Sequence, residues 1–167
     1  AELKSAGGEA TACAMDVTVP QSVEAAVEFA VRTYGALHLA VNNAGISAPM
    51  VPTADLAVED WRRVIDTNLN GVFYGLKYEI PAILAAGGGA IVNTGSMFSA
   101  VGRTDFAAYV AAKHGVLGLT RAAALDYATR GIRINAVGPG VIDTPLLHKH
   151  ADEAAKAFLT SLHPMAR

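Results

Sequence analysis

Residues 90–113 read AIVNTGSMFSAVGRTDFAAYVAAK, a sequence that predicts a buried strand followed by a turn and a helix. The strand ends just before Ser96, and the helix begins near Phe106, where alanine, the strongest helix former, predominates. Tyr109 and Lys113 lie four residues apart, so they project from the same face of that helix. An ammonium group beside a phenol favours the phenolate, so we expect Lys113 to lower the Tyr109 pKa. The pair can then act as a general acid/base, with Ser96 binding the reacting oxygen.

The alternative is a chance pairing of tyrosine and lysine on a surface helix. Of the five tyrosines in the chain, only Tyr109 is followed by a lysine four residues later. One such spacing is weak evidence by itself, so the interpretation depends on the context that the rest of the chain supplies.

The composition favours an α/β protein and excludes several other classes. Of the 167 residues, 52% are hydrophobic and 17% are charged, a balance typical of parallel strands that are buried on both faces. The net charge of −2 predicts no nucleic-acid partner, and no apolar run reaches the ~18 residues of a membrane-spanning helix. The single cysteine, Cys13, cannot form an internal disulfide, so we expect a cytoplasmic protein. Because no apolar run is long enough to span a bilayer, we also expect no membrane contact.

Strands and helices alternate along the chain. The predicted strands cover residues 11–15, 37–41, 90–94 and 132–137, and the predicted helices cover residues 20–34, 58–79, 106–129 and 152–162. Such alternation predicts a parallel sheet with helices on both faces, because right-handed crossovers connect successive strands. We expect residues 1–167 to form a single domain of this α/β class.

The helix predicted over residues 58–79 carries a polar residue where an apolar one is expected. Asn68 falls within its apolar stripe, which comprises Trp61, Val64, Ile65, Leu69, Val72, Phe73 and Leu76. A side-chain amide on an apolar face destabilises the fold unless its hydrogen bonds are satisfied. Asn68 is therefore a candidate functional residue.

Polar or glycine-containing segments follow the predicted strands. They are Asp16, residues 42–45 with the sequence Asn-Asn-Ala-Gly, Ser96, and the pair Pro139-Gly140. In a parallel sheet the carboxyl ends of the strands meet at one edge, and ligands bind there. The sequence therefore predicts a binding site at that edge.

In this order, the motifs resemble those of the short-chain dehydrogenase/reductase family. They are Asn42-Asn43-Ala44-Gly45, Asn68, the set of Ser96, Tyr109 and Lys113, and Pro139-Gly140-Val141-Ile142-Asp143-Thr144. The resemblance covers essentially the whole chain. It implies a Rossmann-like, doubly wound parallel sheet in three αβα layers. It also implies an NAD(P)-dependent oxidoreductase that interconverts a small-molecule secondary alcohol and a ketone.

The resemblance implies a role for each of four catalytic residues. Tyr109 is the general acid/base, and Lys113 lowers its pKa and binds the ribose of the nicotinamide half. Ser96 hydrogen-bonds the substrate oxygen. Asn68 holds a water molecule in a proton relay between Lys113 and solvent. The alternative for Asn68 is an amide that braces the helix by bonding to nearby backbone.

The resemblance also implies three segments that contact NAD or NADP. The adenine ring is contacted by Asp16 and Val17, and the alternative for Asp16 is an Asx turn after a strand. The turn beneath the cofactor, where small residues let the backbone come close, contains Asn42, Ala44 and Gly45. The segment that orients the nicotinamide and reaches the pyrophosphate contains Pro139, Gly140, Ile142 and Thr144.

Three features of the family pattern are missing from this sequence, and one of them is the final helix and strand expected beyond Arg167. No glycine-rich turn leads from a strand into a helix, because the glycines at 87–89 precede a strand. The residue that selects NAD or NADP is also missing, so the choice between them stays open. The absent turn leaves an alternative function, a non-catalytic binding or oligomerisation module of the same fold.

The resemblance has a consequence for the completeness of the sheet. In the family's sheet, the strand predicted over residues 11–15 lies at an edge, two strands away from the next one in this sequence. The chain would then leave unpaired backbone and exposed apolar faces. We therefore expect a fragment of a longer protein, with a fold that is incomplete at both ends.

Smaller signals concern metal, assembly and substrate. His148 and His150 have no third ligand at a sensible spacing, so no metal site is predicted. Small residues along the Tyr109 helix allow close packing, and in the family this helix helps to form a subunit interface, which implies a homodimer or homotetramer. The alternative is that the same face of the helix packs within the monomer. The candidate pocket residues are apolar and include no obvious charge clamp: Met50, Met97, Phe98, Val141, Leu146, Leu147 and Phe158.

Overall fold

The computed structural model describes residues 5–144 and 152–161. In chain order its helices and strands are α1 Pro20–Tyr34, β1 Leu39–Asn42, α2 Val58–Ile65, α3 Gly71–Ala85, β2 Gly89–Thr94, α4 Ala107–Tyr127, β3 Ile132–Val137 and α5 Glu153–Ser161. A π-helical segment, Asp66–Asn70, joins α2 to α3, and short 3₁₀ turns cover Thr53–Asp55, Met97–Ser99 and Ala128–Arg130. The predicted alternation of helices and strands is confirmed from residue 20 onward.

The three strands form a parallel sheet in the order β1-β2-β3, as the alternation predicts. The register pairs Asn42 with Asn93 and Thr94 with Val137, so the strands end together at one edge. The strand predicted over residues 11–15 is wrong, because these residues form no β-ladder. A strand needs a hydrogen-bonding neighbour, and the position expected for this segment is two strands away from β1.

Local signals set the bounds of α1. Pro20 occupies the first turn, where its fixed φ suits a helix and its missing N–H costs no hydrogen bond. The helix ends before Gly35, which has a φ of 84° and donates its N–H to Val31 O over 2.8 Å. This is the left-handed cap that glycine adopts without strain, so both ends of the helix agree with the prediction.

The helix predicted over residues 58–79 is helical throughout but is not a regular α-helix. The segment Asp66–Asn70 is π-helical, so its backbone hydrogen bonds span five residues instead of four. The extra residue rotates everything that follows by about 100° relative to a regular α-helix. Phe73, which belongs to the predicted apolar stripe, is 47% exposed. Trp61 of α2 is 40% exposed as well, and Val64 is the side chain that α2 buries.

Pro81 lies inside α3, which continues to Ala85 and so extends past the predicted helix end at residue 79. Proline removes one helical hydrogen bond. The neighbouring side chains of Ile80 and Ile83 are buried in the core, and their packing holds the helix on both sides of the proline.

The hydrophobic core lies between one face of the sheet and the helices α3 and α4. Register partners in a parallel pair point to the same face, so Ile91 and Ile134 face these helices together. The core cluster contains Val72, Leu76, Ile80, Ile83, Ile91, Val116, Ala123, Ile132 and Ile134. On the opposite face Leu39 and Val41 are 70% and 67% exposed, which agrees with the expectation of an exposed apolar face.

Neither a membrane-spanning helix nor a metal-binding cluster occurs among residues 5–144 and 152–161. None of the helices there combines the length and the apolar character needed to cross a bilayer. No group of three or more His, Cys, Asp or Glu side chains is arranged to hold a metal ion. Four residues considered above as metal or pocket candidates lie outside the described residues: Leu146, Leu147, His148 and His150.

Candidate active site

The turns that follow the three strands meet at the carboxyl edge of the sheet. Met97 N donates to Pro139 O over 2.9 Å, so the turn after β2 lies against the segment after β3. Thr94 Oγ1 donates to Asn43 Oδ1 over 3.0 Å and ties the turn after β2 to the turn after β1. The clustering expected for parallel strand ends is therefore observed.

Ser96 begins the 3₁₀ turn Met97–Ser99 with a reciprocal cap. Phe98 N donates to Ser96 Oγ over 3.2 Å, and Ser96 N donates to Ser99 Oγ over 3.1 Å. These bonds orient the Ser96 side chain, whose hydroxyl also hydrogen-bonds the phenol of Tyr109. The structure thus brings together two residues that are thirteen positions apart in the sequence.

Tyr109 and Lys113 lie side by side on α4. The Lys113 Nζ atom is 5.6 Å from the centre of the Tyr109 ring. Lys113 is only 4% exposed, and its Nζ donates to Thr94 O over 2.7 Å. This bond draws the ammonium group towards the last residue of β2 and uses one of its three N–H donors.

Burial dominates the acid–base properties of this pair. It raises the pKa of Tyr109 above its ordinary value of 10.0, while the hydrogen bond with Ser96 acts in the opposite direction. Burial also lowers the pKa of Lys113 to about 8. The expectation that the Tyr109 pKa is lowered is wrong in its net direction, because loss of hydration is the largest effect. Tyr109 is therefore a protonated phenol at neutral pH.

The Asn68 side chain is fully buried and bonds both the backbone N–H and the backbone C=O of Ile46. Its Nδ2 donates to Ile46 O, and its Oδ1 accepts from Ile46 N, both over 2.8 Å. The amide therefore satisfies the hydrogen bonds that its place on an apolar stripe demands. It braces the loop after β1 against the π-helical segment, in line with the bracing alternative. Its part in a proton relay stays a prediction.

Gly45 lies where a side chain would crowd the site. A Cβ atom at this position would be 3.2 Å from Asn68 Oδ1 and 3.8 Å from Lys113 Nζ. Gly45, Asn68 and Lys113 therefore meet at one point, although they come from a loop, the π-helical segment and α4. Because Gly45 is exposed, its backbone is open to close approach by a ligand.

An aromatic cluster flanks Tyr109. The Phe106 ring stacks on the Tyr109 ring with centres 4.7 Å apart, and the Phe98 ring meets Tyr109 edge-on at 6.4 Å. The Arg103 guanidinium lies 5.3 Å from the centre of Phe106 and 5.6 Å from that of Phe98. Phe98 is a predicted pocket residue. The sequence predicts no role for Phe106 or Arg103. The available signal is a spacing, because Phe106 precedes Tyr109 by almost one helical turn.

Asp16 and Val17 lie just before α1. Asp16 Oδ1 accepts from Thr18 N over 2.9 Å and from Thr18 Oγ1 over 2.7 Å, and these bonds lower the pKa of Asp16. This geometry is that of an Asx turn, the alternative stated for Asp16. Val17 packs on the start of α3, since a Cβ at Gly71 would lie 3.1 Å from Val17 Cβ.

The other predicted cofactor residues follow β1 and β3. Pro139 contacts the turn that contains Ser96, through its carbonyl oxygen and Met97 N. Ala44 is exposed in the turn after β1. Cofactor contacts stay predictions for Asn42, Ala44, Pro139, Gly140, Ile142 and Thr144.

A row of buried and half-buried polar side chains lies beside the site. Asn42 Nδ2 donates to Asn93 Oδ1 and to Glu79 Oε2, each over 3.0 Å. Asn93 Nδ2 donates to Thr120 Oγ1 over 3.0 Å. Of these residues only Asn42 carries a prediction from the sequence. The available signal is Asn93 itself, a polar residue on the core face of an apolar strand.

Glu79 leads to a prediction about stability and pH. Burial raises the pKa of its carboxyl above the ordinary value of 4.5, and the bond from Asn42 acts in the opposite direction. Since the folded state binds this proton more tightly than the unfolded state, stability falls as pH rises from about 4.5 through the folded-state pKa. Glu79→Gln keeps an acceptor for Asn42 and removes the charge. We expect it to raise the melting temperature by about 2–5 °C near pH 7.5, with little effect near pH 4.

Differential scanning calorimetry of the protein that contains this chain, at several pH values, measures this difference. Glu24→Gln, at an exposed position on α1, makes the same chemical change as a control. An effect of Glu79→Gln that is the same at acidic and neutral pH would contradict the prediction.

The chain is similar in sequence to dehydrogenases. The pattern of the family described as short chain dehydrogenase matches residues 1–155. The chain is 56% identical over 166 residues to a cyclohexanol dehydrogenase of Acinetobacter sp. (strain SE19), covering 99% of the chain and 64% of that protein. It is 47% identical over 145 residues to a cis-4-hydroxycyclohexanecarboxylate dehydrogenase of Sinomonas cyclohexanicum, covering 87% of the chain and 58% of that protein.

Solved structures resemble the chain over nearly all of its length. A variant of actinorhodin polyketide ketoreductase with NADPH gives a TM-score of 0.92 and 39% identity, covering 99% of this chain and 68% of that one. ElxO with NADP bound gives a TM-score of 0.86 and 35% identity, covering 92% of this chain and 62% of that one. The chain spans 58–68% of the length of these four proteins.

Proposed function

This chain belongs to the short-chain dehydrogenase family, and we propose that the protein containing it is an NAD(P)-dependent oxidoreductase that interconverts a cyclic secondary alcohol and its ketone. The observation that carries the proposal is the contact set of Ser96, Tyr109 and Lys113 at the carboxyl edge of the sheet. A phenol between a serine hydroxyl and a lysine amine can exchange a proton with a substrate oxygen. No observation among the described residues favours the non-catalytic alternative.

Tyr109 is the proposed general acid/base. Its raised pKa keeps the phenol protonated at neutral pH, so it can donate a proton to a ketone oxygen. In the opposite direction Tyr109 must first lose its proton before it can accept one from an alcohol. Lys113, with a pKa of about 8, is the adjacent group that can take part in that proton transfer, and a water molecule held by Asn68 would connect it to solvent.

Ser96 is proposed to bind the same substrate oxygen. Its side chain is held by the bond from Phe98 N and touches the Tyr109 phenol, so one oxygen atom can reach both hydroxyl groups. A donor that is already oriented stabilises negative charge as it develops on that oxygen. Ser96 therefore contributes to the transition state without rearrangement.

The chemistry of this edge fits NAD or NADP, which supplies or accepts the hydride when bound. The open backbone at Gly45 lies close to Lys113, whose remaining N–H donors suit the hydroxyl groups of a ribose. Structural relatives that carry NADP or NADPH support a nicotinamide cofactor at this edge. Further cofactor contacts are proposed for Asp16, Val17, Asn42, Ala44, Pro139, Gly140, Ile142 and Thr144.

The proposed substrates are alicyclic alcohols and ketones of the cyclohexanol type. Two relatives are named as dehydrogenases of cyclohexanol and of a hydroxycyclohexanecarboxylate. Beside Tyr109, the rings of Phe98 and Phe106 offer an apolar surface against which a six-membered ring can pack. These two lines of support are independent, because one is sequence similarity and the other is the chemistry of the lining.

We also propose a cytoplasmic homodimer or homotetramer. The small residues along α4 support close packing of helices between subunits. Leu125 on α4 is 82% exposed and Phe73 on α3 is 47% exposed, so both helices present apolar side chains to a partner. The single cysteine supports a reducing compartment.

The test of the proposed function uses the protein that contains this chain, with cyclohexanol and either NAD or NADP. We expect cyclohexanone to form together with reduced nicotinamide, followed by its near-ultraviolet absorbance. The control is 1-methylcyclohexanol, a tertiary alcohol without a hydrogen on the carbinol carbon, which should not react. If the cofactor binds in a calorimetric titration but no alicyclic secondary alcohol turns over, the non-catalytic alternative replaces the proposal.

A further inference from the structure

Asn93 is fully buried at the centre of the polar row and uses both ends of its carboxamide. Its Oδ1 accepts from Asn42 Nδ2, and its Nδ2 donates to Thr120 Oγ1, each over 3.0 Å. Thr120 Oγ1 donates its own hydrogen to Val116 O over 2.7 Å, so towards Asn93 it can only accept. The direction of every bond in the row is therefore fixed.

The row joins two strands to two helices. Asn42 and Asn93 are register partners on β1 and β2. On the other side, Asn42 contacts Glu79 of α3, and Gly75 of the same helix leaves room for it, because a Cβ at Gly75 would lie 2.9 Å from Asn42 Cγ. Thr120 belongs to α4, the helix that carries Tyr109 and Lys113. Asn93 thus stands between the last residue of β1 and the helix of the active site.

Two hydrogen bonds between β2 and α4 come from consecutive residues of the strand. Asn93 holds Thr120, and the carbonyl oxygen of the next residue, Thr94, accepts from Lys113 Nζ over 2.7 Å. Lys113 and Thr120 are seven residues apart, about two helical turns, and so lie on the same face of α4. A helix held at two points along one face cannot slide or rotate on the strand without breaking a bond.

We propose that Asn93 is a positioning residue that holds α4 in the register at which Tyr109 and Lys113 meet Ser96. This inference rests on the proposed function, since it concerns the geometry of the same site. Asn93 acts through Thr120, because its side chain hydrogen-bonds Asn42 and Thr120. The required precision is high, because a displacement of about 1 Å in a reacting group can cost on the order of 100-fold in rate.

The test compares two substitutions of Thr120. Thr120→Val keeps the shape of the side chain and removes the hydroxyl, whereas Thr120→Ser keeps the hydroxyl. We expect Thr120→Val to lower kcat by at least about 10-fold with a smaller change in KM, and Thr120→Ser to stay within about twofold of the unaltered protein. The matched control is Thr33→Val, which removes the same kind of bond to the preceding turn, from Thr33 Oγ1 to Phe29 O over 2.7 Å, in a helix remote from Asn93.

A second variant tests whether Asn93 and Thr120 act through the same link. Asn93→Leu should lower kcat as much as Thr120→Val, and the double variant should lose no more than the worse single variant, because both changes break the same link. Additive losses in kcat would show that the two residues act separately and would overturn the proposal.

The titration of Lys113 gives a readout that does not need turnover. Its reaction with a small acylating reagent, measured by mass spectrometry across a range of pH, should report a shifted midpoint in Thr120→Val and an unchanged one in Thr33→Val and Thr120→Ser. A purely stabilising role for Thr120 would lower the melting temperature without moving this midpoint.

The outcomes separate this inference from the proposed function. A folded Thr120→Val protein that keeps kcat within about twofold and the Lys113 midpoint unchanged overturns the inference. If Thr120→Val does not fold, Thr120→Cys, a weak hydrogen-bond partner of similar size, takes its place with the same expectations. If the unaltered protein oxidises no alcohol, only the proposed function fails, and the Lys113 titration still decides the inference.

Discussion

Replacing Tyr109 with phenylalanine is expected to lower kcat by about 10²–10⁴-fold and to leave the affinity for the cofactor nearly unchanged. The substitution removes the hydroxyl that bonds Ser96 and keeps the ring that stacks on Phe106 with centres 4.7 Å apart. The aromatic packing therefore survives, and the proton donor does not. A loss confined to kcat is the signature of an interaction that matters in the transition state.

Steady-state kinetics with cyclohexanol and calorimetric titration with the cofactor measure the two halves of this expectation. Tyr34→Phe makes the same chemical change at the 46% exposed end of α1 and should leave both quantities as they are. A Tyr109→Phe protein that keeps more than about a tenth of its kcat would mean that another group transfers the proton.

Gly89→Ala is expected to destabilise the fold by at least about 3 kcal/mol. A Cβ at Gly89 would overlap the carbonyl oxygen of His38 and lie 2.9 Å from its carbonyl carbon and 3.0 Å from Ile83 Cγ2. The same His38 oxygen accepts from Ala90 N over 3.0 Å, so relief of the overlap must pull the beginning of β1 away from β2. Backbone atoms lie on one side of the added Cβ atom and a core side chain lies on the other, so neither side can shift without loss of stability.

Urea denaturation followed by circular dichroism measures this loss. Gly118→Ala is the control with the opposite sign, because a Cβ at Gly118 meets no atom within 4 Å and the residue is exposed inside α4. Alanine should stabilise that helix by about 0.5–1 kcal/mol. Similar stabilities for the two alanine variants would contradict the expected overlap at Gly89.

Local patterns in the sequence predict the parts of the site that depend on local geometry. The four-residue spacing of Tyr109 and Lys113 fixes their common face on any α-helix, and the structure keeps them side by side. Pro20 and Gly35 fix the ends of α1 by their own backbone preferences. The meeting of Ser96 with Tyr109 needs one more step, the clustering of parallel strand ends, and this too follows from the order of elements.

The features that the sequence does not predict depend on partners that are distant in the chain. Asn93 bonds Asn42 across 51 residues and Thr120 across 27, and no periodic pattern encodes those pairings. The direction of the Tyr109 pKa shift depends on burial, which is a property of the assembled site. The π-helical segment depends on a single additional residue. The spacing of apolar residues along a whole helix does not reveal such a residue.

That segment also determines which insertions and deletions related chains can tolerate. Removal of one residue from Asp66–Asn70 would restore a regular α-helix and turn α2 by about 100° relative to α3. Asn68 would then be carried away from Ile46, whereas a change of one residue in the loop over 46–57 would be absorbed locally. A length difference in this helix between two relatives therefore marks a change in active-site architecture, even where the catalytic tyrosine and lysine still align.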